Sequence, residues 1–71
     1  MATSVRAHIT GTVWKVEVRP GDVVTEGQTL VILESMKMEM PVESPVSGTV
    51  SAVVAREGAS VEEGAILVEI A

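Results

Sequence analysis

Gly11-Thr12-Val13-Trp14-Lys15-Val16-Glu17-Val18-Arg19-Pro20-Gly21-Asp22-Val23-Val24 decides the fold, because the chain uses its pattern twice. Gly11-Thr12-Val13 returns as Gly48-Thr49-Val50, an offset of 37 residues (48 − 11). At the same offset Val16 meets Val53, Arg19 meets Arg56, Gly21 meets Gly58 and Val24 meets Val61. Glu26-Gly27 meets Glu63-Gly64, and Leu30-Val31 meets Leu67-Val68. Repeat arrays need three or more copies to cover a continuous core. Two copies read better as halves of one pseudo-symmetric unit, one spanning about 7–34 and the other 44–71, in a single domain over 1–71.

Local signals in both halves say strand. Valine dominates, and β-branched residues suit a pleated surface. Apolar runs are short and broken by Pro20-Gly21, Gly27, Pro41, Pro45, Gly58 and Gly64, which are turn signals. No stretch holds a helical i, i+3, i+4, i+7 pattern free of these breakers. The expected strands are Val5–Ile9, Thr12–Val18, Val23–Val24, Leu30–Ser35, Met38–Val42, Thr49–Val54, Ser60–Val61 and Leu67–Ile70. Between Gly11 and Val18 the apolar parity slips, from odd at Val13 to even at Val16 and Val18, which a β-bulge or two-sided burial explains. The fold class is all-β, a sandwich or flattened barrel with two sheets burying their inner faces. Ile9, Val16, Val18, Leu30, Ile32, Val53, Leu67 and Val68 are the expected core. Trp14 is expected half-buried, His8 exposed on a strand, and Asp22 in a turn.

Composition narrows the chemistry. The 71 residues carry a net charge of −5, no cysteine, one histidine and one aromatic residue. Neither a disulfide nor a thiolate or multi-histidine metal site can be built. An acidic chain with a single aromatic lacks both a phosphate-neutralising surface and stacking platforms, so nucleic-acid binding is not expected. The longest aliphatic run, Leu30-Val31-Ile32-Leu33, is far below the roughly 20 residues of a membrane-spanning helix. The first six residues hold no apolar stretch suited to a signal peptide. With the lack of cysteine, this leads us to expect a cytoplasmic chain that does not bind membranes. Glu57, Glu62 and Glu63 read as a solvated face that favours solubility.

Between the halves lies Ser35-Met36-Lys37-Met38-Glu39-Met40-Pro41-Val42-Glu43, the expected hairpin 35–43. Three of the four methionines alternate here around one lysine. Tight two-residue hairpins favour Gly, Asn or Asp, because the turn needs positive φ. None of these stands between Leu33 and Val42. Local rules tend to be broken at functional sites. Spacing alone would make the methionines core filler on one strand face and the lysine a surface charge.

Glu34-Ser35-Met36-Lys37-Met38-Glu39 resembles the biotin-attachment motif of biotinyl domains, whose centre is Met-Lys-Met. The flanks agree: Gly11-Thr12-Val13, Pro20-Gly21-Asp22-Val23-Val24 and Glu26-Gly27-Gln28 before it, and Pro45-Val46-Ser47-Gly48-Thr49-Val50 and Gly58-Ala59-Ser60-Val61 after it. The resemblance covers about Val5 to Ile70. Ser35 stands where many members have Ala, a small-for-small change. The repeat aligns without a gap, so the protruding insertion of some bacterial carriers is absent, as is a Pro/Ala-rich linker. The chain therefore resembles a stand-alone minimal carrier or an excised domain.

This resemblance implies two four-stranded antiparallel sheets with quasi-twofold symmetry and the modified lysine at an exposed hairpin tip. It implies covalent biotin on Lys37, attached by a biotin protein ligase that activates the biotin carboxyl and takes the proton from the lysine amine. Met36 and Met38 would be recognition residues for ligase and partners, their flexible thioethers adapting to several surfaces. Met40 stays in or beside the core, and Glu34 and Glu39 flank the tip. The arm would carry a carboxyl group between a biotin carboxylase site and a carboxyltransferase site, tethering giving a high effective concentration. The chain would thus be no enzyme itself but a ligase substrate and carboxylase component, monomeric in isolation. The alternatives are a lipoyl carrier of a 2-oxo acid dehydrogenase-type system, whose domains usually carry Asp where Met36 stands, and an unmodified interaction module.

Overall fold

The computed structural model describes residues 2–71. Its strands are β1 (Thr3–Arg6), β2 (Gly11–Val16), β3 (Val23–Val24), β4 (Thr29–Ser35), β5 (Met38–Glu43), β6 (Gly48–Val53), β7 (Ser60–Val61) and β8 (Ile66–Ile70). They form two four-stranded antiparallel sheets, ordered β1-β8-β6-β3 and β5-β4-β2-β7. Among the described residues there is no helix.

The sequence repeat is a structural one. Shifted by 37 residues, β2 becomes β6 and β3 becomes β7. Hydrogen bonds follow: Gly21 N–H donates to Val50 O and Gly58 N–H to Val13 O, both at 2.8 Å. Each sheet takes two strands from the first half of the chain and two from the second. Neither half owns a sheet, so neither can bury its apolar face alone. The cooperative unit is the pair of halves.

The parity slip in β2 is a bulge. Pairing with β4 shifts between Val13 and Lys15, leaving Trp14 as the extra residue. The repeat carries the same feature in β6, where pairing with β8 shifts between Val50 and Ala52. Val13 and Val50 are accordingly both buried inside. At Arg19–Asp22 the chain turns with Gly21 at φ 94. Asp22 N–H donates to Arg19 O at 3.1 Å, and Asp22 Oδ2 accepts from Arg19 N–H at 2.9 Å. Proline then glycine at the two central positions is the signature of a type II turn.

The core between the sheets is aliphatic: Val13, Val24, Leu30, Val31, Leu33, Val50, Leu67, Val68 and Ile70 are all but sealed from solvent. Burying each such side chain contributes about 1.5–3 kcal/mol. Of the expected core, Val18, Leu30, Leu67 and Val68 are buried. Ile9, Val16 and Val53 only pack against it, and Ile32 is half-buried. Ile32 sits opposite Lys15 and Pro41 on the outer face of its sheet, while its neighbours Val31 and Leu33 point inward. The first strand also differs, ending at Arg6 rather than reaching Ile9. A bend at His8–Thr10 replaces it, tied down by Glu63 N–H donating to Thr10 Oγ1 at 3.2 Å. His8 is exposed in that bend rather than on a strand, and Trp14 keeps about half of its surface in solvent (48%).

Candidate functional site at the hairpin tip

The β4–β5 hairpin pairs from Thr29↔Glu43 outward to Ser35↔Met38, leaving Met36 and Lys37 as a two-residue turn. Met36 has φ 51 and Lys37 φ 66. Positive φ at both central positions is the type I′ geometry, whose twist matches that of the strands it joins. The chain therefore adopts the favoured turn with residues that disfavour it. Left-handed backbone costs an ordinary L-residue about 1–2 kcal/mol. Four other positions with positive φ, at 21, 27, 58 and 64, are glycines. Among the described residues, only the tip bears this cost on residues with side chains.

Alternation along β5 sorts the three methionines. Val42, Met40 and Met38 share one face. Exposure rises along it from 5% at Val42, through a half-buried Met40, to 58% at Met38. Met36 lies beyond the row, 92% exposed. Met40 thus closes the edge of the core, and Met36 and Met38 are too exposed to be filler. Lys37 is exposed between them. Among the described residues its amine has neither a hydrogen-bond acceptor nor an ion-pair partner; the recorded salt bridge joins Lys15 and Glu17 at 3.8 Å.

Two further features support the tip. Glu34 and Glu39 lie directly opposite each other across the hairpin, both exposed. Like charges so placed weaken pairing somewhat, but they keep the tip's flanks hydrated. Gly11, at the start of β2, lets the tip end of β4 come close. A Cβ there would lie 2.6 Å from Glu34 O and 3.4 Å from Ser35 Cβ. The repeat supplies the control, since a Cβ on Gly48 would lie 2.7 Å from Ala71 O. The role of Gly11 escapes motif reading, although a glycine inside a strand is itself a sign of close backbone approach. The arrangement offers an accessible primary amine on a rigid ribbon, fitted to form an amide with a carboxyl group brought by another protein.

Residues 1–70 match the family of biotin/lipoyl attachment domains described as "Biotin-requiring enzyme". The chain belongs to that family. It is 44% identical over 67 residues to the biotin/lipoyl attachment protein of Bacillus subtilis (strain 168), covering 94% of this chain and 92% of that one. It is also 44% identical over 70 residues to the biotinylated protein TB7.3 homolog of Mycobacterium leprae (strain TN), covering 99% of each. Among solved structures, that of Kluyveromyces lactis urea carboxylase superposes with a TM-score of 0.94 at 34% identity, over 100% of this chain and 6% of the carboxylase. The two-sheet fold and the biotinyl identity expected above therefore hold. The family's domains are carriers: the catalysis in which they take part belongs to other domains or proteins.

Proposed function

We propose that Lys37 bears biotin in amide linkage and that the chain is a biotin carboxyl carrier serving a biotin-dependent carboxylase. The observation that carries this reading is an unpartnered lysine at the left-handed apex of the hairpin, with an exposed methionine on each side. The tip fits the group: the amine has no internal bond to break before acylation, and an acyl chain leaving a convex tip meets no wall. When attached, biotin supplies a ureido ring that can accept a carboxyl group at one active site and release it at another. The chain's own contribution is geometric. The β4–β5 ribbon holds Lys37 Nζ out for a biotin protein ligase, and afterwards holds the arm's root fixed while the arm reaches partner sites. Met36 and Met38 offer those partners an adaptable apolar contact. The likeness to a urea carboxylase domain and to a protein named as biotinylated supports biotin over lipoate.

Carboxylase and carboxyltransferase components are the partners this reading requires, each met by a monomeric domain in turn. Co-expression with a biotin protein ligase is expected to add one biotinyl mass, mapped to Lys37. Lys37→Arg keeps the charge but offers no acylable amine, so its labelling should vanish while its melting curve stays in place. Modification at Lys15, or none on Lys37, would overturn the assignment.

A further inference from the structure

The methionines that frame Lys37 are exposed thioethers, and nothing in the carrier role accounts for the chemistry such sulfurs undergo. Met36 is 92% exposed and Met38 58%, while Met40 is half-buried at the core edge. No cysteine competes for oxidant anywhere in the chain. Thioether oxidation follows access to the sulfur, and the product is a polar, chiral sulfoxide that reductases can reverse. We propose that Met36, with Met38 behind it, is a site of reversible sulfoxidation that switches off docking of the tip. This rests on the reading of Lys37 as the attachment site, since the docking lost is that of the ligase and the carboxylase partners.

The step is balanced with a peroxide as oxidant. The sulfur lone pair attacks one peroxide oxygen, the O–O bond breaks, an S–O bond forms, and the second oxygen leaves as water. Sulfur gives up two electrons and the peroxide takes them. In reverse, a methionine sulfoxide reductase draws two electrons from a pair of thiols and releases the oxygen as water. The fold is indifferent to the change, because Met36 and Met38 lie outside the core. Docking is not. Burying a methionine side chain in a partner favours binding roughly ten- to a hundredfold, and a sulfoxide carries a strong acceptor into that contact with no donor arranged to meet it.

The test oxidises the unmodified 71-residue chain with hydrogen peroxide, removes the peroxide, and then adds biotin protein ligase, biotin and ATP. Trypsin cuts after Lys37, so Met36 falls in one peptide and Met38 and Met40 in the next, where fragmentation separates them. Oxygen should enter at Met36 first, Met38 next and Met40 last, with the melting temperature unmoved. The rate of Lys37 labelling should fall about tenfold or more and return after methionine sulfoxide reductase treatment. In a Met36→Leu/Met38→Leu chain, whatever its starting rate, the ratio of treated to untreated rates should stay near one. If untreated chain is not labelled on Lys37, the carrier reading itself fails. If untreated chain is labelled and fully oxidised chain is labelled equally fast, the carrier reading stands and this inference is overturned. A loss that the reductase does not reverse overturns it too, by pointing to damage elsewhere.

Discussion

Replacing the tip by the residues its geometry prefers should make the domain more stable and useless as a carrier. Met36 and Lys37 occupy φ 51 and 66. At about 1–2 kcal/mol for each left-handed L-residue, the turn holds about 2–4 kcal/mol that Asn-Gly would largely release. Glycine's extra freedom in the unfolded chain takes back about 0.5–1 kcal/mol, and asparagine keeps part of the steric cost. The expected net gain for Met36→Asn/Lys37→Gly is about 1–2 kcal/mol. A change of 1 kcal/mol moves the Tm of a domain this small by about 4–8 °C, so the double variant should melt about 5–15 °C higher. Met36→Asn alone should give a smaller rise and still present Lys37. Lys37→Arg is the control, because arginine bears the same left-handed cost as lysine.

The assay is thermal unfolding by circular dichroism, with urea titration to check that the slope of unfolding free energy is unchanged. Ligase labelling of the same samples supplies the functional axis. A double variant no more stable than the parent would refute the strain reasoning. It would mean that the tip lies outside the left-handed region in solution, or that its side chains make contacts worth as much as the strain. A gain in Lys37→Arg would point instead to charge. The reasoning stands only if stability rises with turn preference while labelling falls with loss of the lysine.

The repeat lets one position control for another. Gly11→Ala and Gly48→Ala each place a Cβ under 3 Å from a backbone oxygen, so each should destabilise by about 1–3 kcal/mol in urea titrations. Gly11→Ala should also slow labelling in conditions where both variants are folded, because it displaces Glu34–Ser35, whereas Gly48→Ala should not. Met36→Asp leaves Lys37 in place but puts a carboxylate where the proposed partners would meet a thioether, so initial rates of biotinylation should drop about tenfold or more; an unchanged rate would move recognition onto the barrel. Finally, Ile70↔Thr3 is the repeat counterpart of Leu33↔Met40, so Ser-Met-Lys-Met bridging Ala71 to Ala2 in a cyclised chain should form a second tip. Two biotinyl increments by mass are expected; a single one on Lys37 would show that Glu34 and Glu39, replaced there by Ala71 and Ala2, help choose the lysine.

Much of the fold was legible because valine density and glycine punctuation are local signals, and the repeat states them twice. Val23–Val24 and Ser60–Val61 emerge with the expected bounds, and the parity slip resolves as a bulge at Trp14. What was not legible depends on which face a residue takes once a strand is bulged. Ile32 read as core, yet Leu30, Val31 and Leu33 fill it, because the pairing of β4 with β5 shifts between Thr29 and Val31 and Ile32 falls on the outer face; Val16, opposite Val31, only flanks the core. The N-terminal strand was misplaced for a non-local reason: the bend at His8–Thr10 is held by residues more than fifty positions away, through Thr10 and Glu63. At the tip the sequence exposed the conflict between turn chemistry and residue type without resolving it. The close approach at Gly11 and the opposition of Glu34 to Glu39 are matters of register, which composition does not encode.

The symmetry explains why this hairpin, of all the turns, suits the proposed attachment site. A twofold arrangement of identical halves would present two equivalent tips, one closing β4 to β5 and one closing β8 to β1. In this chain the second closure is absent, and β1 and β8 pair as free strands with Thr3 opposite Ile70. Four of the six other connections are bound to their surroundings through a glycine: Gly21 donates to Val50 and Gly58 to Val13, while Gly27 donates to Ser44 O and Gly64 to Ala7 O. Their backbones are committed to holding the two sheets together, and their φ values are those of glycine, which offers no side chain to modify. Among the described residues, the β4–β5 turn makes no backbone hydrogen bond outside its own hairpin. It can therefore absorb left-handed strain at Met36 and Lys37 without loosening the core, and can display side chains at positive φ, where the four other left-handed turns carry glycine.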